Sequence, residues 1–228
     1  MEKTLLNEFE KYKEIRNGEF EIRDCENLST TVATLLICND GLKLENIKTI
    51  RKIEPEKVTS FENELLNELE IPKNNKNVIN FIVHELRNNI YEHSKFSRGL
   101  VMGRAYTNFT DVSFIDNGIN IANSLKNANY SFKNDCDAIL KAINGLSTKN
   151  ELGFVERGTG LNNTINIVAN GCDGSVLIAS GKGLVFITPD DIYLKNIDET
   201  PVNGTLISLR MNLSEKVDIY KYLNPIKL

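Results

Sequence analysis

The chain has 228 residues, enough for one large domain or two small ones with a substantial core. Its hydrophobic content of 41%, charged content of 25% and net charge of −4 leave no basic footprint for nucleic acid or an anionic membrane surface. No apolar run reaches transmembrane length and the amino terminus opens amphipathically, so a cytoplasmic protein without membrane attachment is expected.

Residues 2–16 carry Leu5, Leu6, Phe9 and Tyr12 as an apolar stripe, predicting a helix that Asn17-Gly18 ends. Phe20 to Arg23 alternates like a short strand. Ser29 or Thr30 caps a second helix through Val32, Leu35, Leu36 and Cys38, stopped by Asn39-Asp40-Gly41. Ile47 to Ile53 reads as a strand, and Glu54 to Leu69 as a helix after Pro55. This order predicts a small α/β element over residues 1–75 that carries no catalytic motif and is the expected contact region for a protein partner. Pro72 to Asn77, polar and aperiodic, is the expected linker, although a loop within one continuous fold has the same composition. Cys25, Cys38, Cys136 and Cys172 lack the close pairing of zinc or redox sites and are expected as reduced, packed thiols.

Over residues 78–94, Ile79, Val83, Leu86 and Ile90 recur at spacings of four, three and four, the period of a helix with one buried face. Glu85 and Asn89, four apart, point the same way on successive turns. A carboxylate beside a carboxamide suits the orientation of water and the ligation of a hard cation such as Mg²⁺. A solvated helix face has the same residue types, so this pair alone decides nothing. Both histidines, His84 and His93, lie on this helix, which argues against a histidine-based metal site.

Further along, Gly99 to Tyr106 and Asp111 to Asp116 read as strands, the second delivering Asp116 to its end, where Asn117-Gly118 turns the chain. Residues 121–127 and 134–144 read as helices, and Gly145 to Arg157 as a polar, mobile stretch. Gly158-Thr159-Gly160 opens a helix carrying Leu161, Ile165 and Val168. Its glycines and helix-start amides suit an anionic oxygen, although the Gly-Lys-Ser/Thr ending of a P-loop is absent. Ser175 to Ala179 and Leu184 to Thr188 form a hairpin, and Gly204 to Leu209 a last strand.

Glu85-Leu86-Arg87-Asn88-Asn89-Ile90-Tyr91-Glu92-His93 resembles the N box of the GHKL ATPases, the superfamily of gyrase, the ninety-kilodalton heat-shock chaperone, MutL, histidine kinases and anti-sigma-factor serine kinases. Asp116-Asn117-Gly118, Arg157-Gly158-Thr159-Gly160-Leu161 and Gly204-Thr205 follow in that family's order, so the resemblance spans roughly residues 76–212. Ile90 replaces the usual small residue, and Asn120 stands at the second glycine of Asp-x-Gly-x-Gly. His84-Glu85-Leu86-Arg87 is also similar to a histidine-kinase phosphoacceptor box. No proline follows it, however, and only 32 positions separate His84 from Asp116, too few for a phosphoacceptor hairpin and a separate N box.

The resemblance implies an α+β fold, a two-layer α/β sandwich of the GHKL (Bergerat) type with a mixed sheet and helices on one face. The domain would run over 76–228, with the 1–75 element additional to it. It also implies ATP and Mg²⁺ as ligands. Asp116 would accept from the adenine amine beside Gly118, with the Thr205 hydroxyl close by. Asn89 would ligate Mg²⁺, and Glu85 would orient or deprotonate the nucleophile. Arg157, Gly158, Thr159, Gly160 and Leu161 would form the second glycine box, and residues 121–157 the lid, from which Lys149 reaches phosphate. The implied function is a slow ATPase or ATP-dependent switch. A protein-serine kinase of the anti-sigma-factor type, closest in size, and an interaction module without turnover are the alternatives, and a homodimer is compatible with each.

Overall fold

The computed structural model describes residues 4–18, 28–42, 50–53, 67, 69, 71, 73–146 and 159–223. Helix α1 runs over Leu5–Arg16 and α2 over Thr30–Cys38, each capped by a hydroxyl, Thr4 and Ser29, that accepts an amide of the first turn. Strand β1 is Ile50–Lys52, and helix α3 is Lys76–His93. Strands β2, Gly99–Ala105, and β3, Thr110–Asp116, follow as a hairpin, then helices α4, Ile121–Asn127, and α5, Asp135–Ile143. Helix α6, Thr159–Asn166, continues as a π-helical turn over Ile167–Gly171. Strands β4, Ser175–Gly181, β5, Gly183–Ile187, β6, Ile192–Asn196, and β7, Val202–Met211, complete the sheet.

These strands form one sheet in the order β1-β2-β3-β7-β4-β5-β6. Every described pair is antiparallel, which corrects the mixed sheet expected from the sequence. The connections explain it. Tight turns reverse the chain between β2 and β3, β4 and β5, and β5 and β6. Strand β7 then inserts between β3 and β4, antiparallel to both.

Strand alternation gives the sheet two apolar faces. On the inner face, Val101, Val112, Phe114, Ile178, Ile207 and Leu209 pack against Ile79, Val83, Leu86 and Ile90 of α3, Ile139 of α5 and Ile165 of α6 in one core. The buried face of α3 is therefore the one its spacing predicts. On the outer face, Leu100, Met102, Ile115, Leu177, Leu184 and Leu206 pack against Leu5, Phe9 and Tyr12 of α1 and Val32, Leu35 and Leu36 of α2. Helices on one face describes the chain from residue 76 onward. Helices α1 and α2 close the opposite face, and β1 extends the same sheet.

A ladder of buried hydroxyls fixes α2 to that outer face. Thr31 Oγ1 donates to Ser208 Oγ at 3.0 Å, Ser113 Oγ to Thr30 Oγ1 at 2.8 Å, and the Ser113 and Ser208 hydroxyls lie 2.8 Å apart. Near the far end of β3, fully buried Asp111 takes a bidentate pair from Arg210, at 2.9 and 2.8 Å. The guanidinium also lies over the Phe109 ring, 4.1 Å from its centroid.

The stretch expected as a linker is an anchor. Lys73–Asn75 form a 3-10 turn leading into α3, and the Asn75 side chain is fully buried. Its Nδ2 donates to the Leu213 and Glu215 carbonyls at 2.8 and 2.7 Å, and its Oδ1 accepts the Val217 amide at 3.0 Å. Strand β6 was not expected from the sequence. The predicted strand Phe20–Arg23, most of the helix predicted over 54–69, and Cys25 lie outside the described residues. Cys38, Cys136 and Cys172 are free and buried. Among the described residues, no helix is long and apolar enough to cross a membrane.

Candidate functional site

Asp116 ends β3 on the inner face, in the row of the sheet that runs Gly99, Asp116, Thr205, Ser180. The alternation that buries Val112 and Phe114 inward brings its carboxylate to the same side, 2% exposed. Its Oδ1 accepts the Gly118 amide at 2.8 Å. Burial raises its pKa to about 7, against hydrogen bonds from the Gly118 amide and the Ser94 hydroxyl that favour the charged form. Asp116 is therefore a strong acceptor held at the edge of ionisation.

The loop after it has no spare room. A Cβ on Gly118 would collide with the Ser94 carbonyl at the end of α3, and that carbonyl accepts the Ile119 amide at 2.6 Å. Gly204, at φ +87°, lies backbone to backbone on Asp116 and Gly118, a conformation and approach that exclude a side chain. The half-buried Thr205 sits opposite Asp116 in register, and its hydroxyl is 2.9 Å from that of Ser180. Ser180 Oγ also accepts the Ile121 amide at 2.9 Å, tying the start of α4 to this row.

Asn120 does not need the positive φ that a glycine allows. Its φ is −69°, and its side chain caps α4 by accepting the Asn123 amide at 2.8 Å. The departure from Asp-x-Gly-x-Gly thus exchanges a flexible turn residue for a helix cap.

The other end of the site lies further back on α3. The half-buried Glu85 carboxylate lies directly against Gly160 in the first turn of α6, where any Cβ would overlap it. This joins the N-box-like helix to the glycine segment 75 positions later in the chain. Asn89, half-buried, lies one helical turn beyond Glu85 towards Ser94. From Glu85 to Ser94 the helix rises about 14 Å at 1.5 Å per residue. Leu161 points into the inner core at 9% exposure, so its contribution is packing. Lys149, Arg157 and Gly158 lie outside the described residues, as does the Thr159 side chain.

Among the described residues no group of three or more His, Cys, Asp or Glu side chains gathers to hold a metal. A cation beside Asn89 would take most of its ligands from water and from the bound molecule's own oxygens, which is the usual way Mg²⁺ is held. His84 is exposed on α3, with its Nε2 3.0 Å from Asn88 Nδ2.

Ser94 and Ser180 were not legible as site residues in the sequence. Ser94 follows His93 directly and was within reach of the motif, whereas Ser180 joins Thr205 only through the β4–β7 register. Compared with known proteins, the chain matches no family model and no curated sequence.

Proposed function

We propose that the chain binds Mg-ATP and works as a slow ATPase or ATP-dependent switch of the GHKL kind. The observation that carries this is the convergence on α3. The carboxyl-terminal end of the helix packs on the loop of a buried acceptor, Asp116, and its middle brings the Glu85 carboxylate onto the first turn of α6. Motif residues from separated segments thereby line one helix, with a base acceptor at its carboxyl-terminal end and a carboxylate beside a helix start at its middle.

In this reading Asp116 accepts from the exocyclic amine of adenine, and Thr205 and Ser180 hold the polar row beside it. Guanine presents an acceptor at that position and leaves the buried carboxylate mispaired, so the pocket selects against it. The first turn of α6 directs its amides and the positive end of its dipole towards phosphate oxygens. Asn89 would contribute its side-chain oxygen to Mg²⁺, whose charge would offset that of the phosphates. Glu85, four residues away on the same face, orients the nucleophile and takes its proton.

Calorimetric titration with Mg-ATP, Mg-GTP and ATP in EDTA tests the binding. ATP is expected to bind with preference over GTP and with dependence on Mg²⁺; equal affinity for the two nucleotides would overturn the reading. Glu85→Ala is expected to keep ATP affinity within a few-fold while lowering turnover by about 10²–10⁴-fold. Transfer of label from γ-³²P-ATP to a partner protein would assign the same geometry to a serine kinase. Binding without hydrolysis or transfer would assign it to an interaction module.

A further inference from the structure

Two stretches flank the polar row of the site, the loop after β3 and the start of β7, and both are tied to the same short piece of the outer layer. The carboxyl-terminal end of α2 reaches the first of these through Arg98. Arg98 Nη1 donates to the Ile37 carbonyl at 3.0 Å, the Arg98 carbonyl accepts the Asn117 amide at 3.0 Å, and the Arg98 amide donates to Asn117 Oδ1 at 2.8 Å. Asn117 is the residue next to Asp116.

The start of β7 is held by Asn39, the residue that caps the end of α2. Its Oδ1 accepts the Asn203 amide at 2.9 Å, and its Nδ2 donates to the Pro201 carbonyl at 3.4 Å and to the Tyr12 hydroxyl at 2.7 Å. Asn203 immediately precedes Gly204, whose backbone lies on Asp116 and Gly118. Tyr12 is fully buried in the outer core, so Asn39 has a fixed point behind it. A carboxamide that both donates and accepts satisfies all three contacts, which no apolar residue could do.

We propose that Asn39 is a positioning residue for base recognition, and that through it the α1/α2 layer sets the affinity of the nucleotide site. The inference rests on the ATP reading above and extends it to a part of the chain outside the resemblance. Asn39 does not touch the base. It holds residues 201–203 so that Gly204 and Thr205 meet Asp116 in one register. Anything that shifts the end of α2 therefore shifts both walls of the base pocket while leaving the Glu85–Gly160 end in place.

The full chain and two variants decide this. Asn39→Ala removes the contacts to the start of β7, whereas Ser29→Ala removes the amino-terminal cap of α2 and loosens the same helix away from the site. Each is titrated with Mg-ATP, Mg-GTP and Mg-tripolyphosphate, and thermal stability is recorded without ligand. Asn39→Ala is expected to weaken ATP about tenfold and to reduce the ATP-to-GTP ratio by a similar factor, with tripolyphosphate within twofold of the parent. Ser29→Ala is expected to lower the melting temperature and leave that ratio unchanged. An unchanged ratio in Asn39→Ala, or an equal loss of ATP and tripolyphosphate, overturns the positioning role. If the parent binds no nucleotide, the reading of the site fails on its own, and hydrogen exchange of the ligand-free chain decides the structural link. Faster exchange of the Asn203, Thr205 and Gly118 amides in Asn39→Ala, but not in Ser29→Ala, supports the link. Unchanged exchange removes it.

Discussion

A carboxyl group with a pKa of about 7 makes Asp116 sensitive to pH in the range where the protein is handled. Burial is the dominant cause, and the Gly118 amide and Ser94 hydroxyl offset only part of it. Between the ordinary carboxylate value and about 7, the folded chain holds a proton that the unfolded chain has released. Stability from this group therefore falls as pH rises through that window and levels off above it. Binding an amine donor favours the ionised form, so under the proposed ATP reading Mg-ATP affinity is expected to increase from pH 6 to pH 8, by up to about tenfold per pH unit below 7. Urea melts and calorimetry across this range check both trends, and Asp116→Asn should flatten both. Gly160 offers a second test at single-residue scale. A methyl group there would occupy the space of the Glu85 carboxylate. Gly160→Ala is expected to displace Glu85 and, under the proposed ATPase reading, to cut turnover by about a hundredfold or more, measured as kcat against the parent.

Among the elements, α2 is the least ordinary. Eight of its nine residues are buried, three of them threonines, and two of these, Thr30 and Thr31, bond hydroxyls of the sheet within an otherwise apolar contact. Such a polar ladder within an apolar layer fixes the helix in one register, because a slip leaves buried hydroxyls unpaired. Ser208→Ala is expected to cost about 1–3 kcal/mol, since it strands the Thr31 hydroxyl, while Ser113 keeps its bond to Thr30. Adding Thr31→Val should cost less than its effect alone, and a double-mutant cycle in denaturant measures that coupling. At the opposite edge of the fold, Asn75 holds residues 213–217 against the start of α3, where the composition reads as a linker. Polar composition indicates a loop only when its amides and carbonyls face water. Here three hydrogen bonds satisfy the asparagine inside the protein.

At the scale of the whole molecule, the outer layer is structural. Without α1 and α2 the sheet would expose Leu100, Met102, Ile115, Leu177, Leu184 and Leu206 together. A chain beginning at residue 73 is therefore expected to bind hydrophobic dyes and to lose cooperative unfolding. Cooperative unfolding of that fragment at the parent's midpoint would show that the outer face is dispensable.

The sequence by itself determined the local features: the buried stripe of α3, a hydroxyl cap at Ser29 or Thr30, the stop at Asn39-Asp40-Gly41, and Asp116 at a strand end before a turn. Each depends on residues within a few positions, where helical or strand period fixes which side chains share a face. It also gave Glu85 and Asn89 a common direction, because four residues make about one turn. Only the tertiary structure decided that the sheet is antiparallel throughout, that α1 and α2 cover its second face, that Ser180 joins Thr205, and that Glu85 meets Gly160. Those facts depend on which strand neighbours which. The contact between Thr31 and Ser208 spans 177 positions, and no periodicity reaches so far. Strand neighbours follow from burying both faces of one sheet at once, a condition that the whole chain meets together.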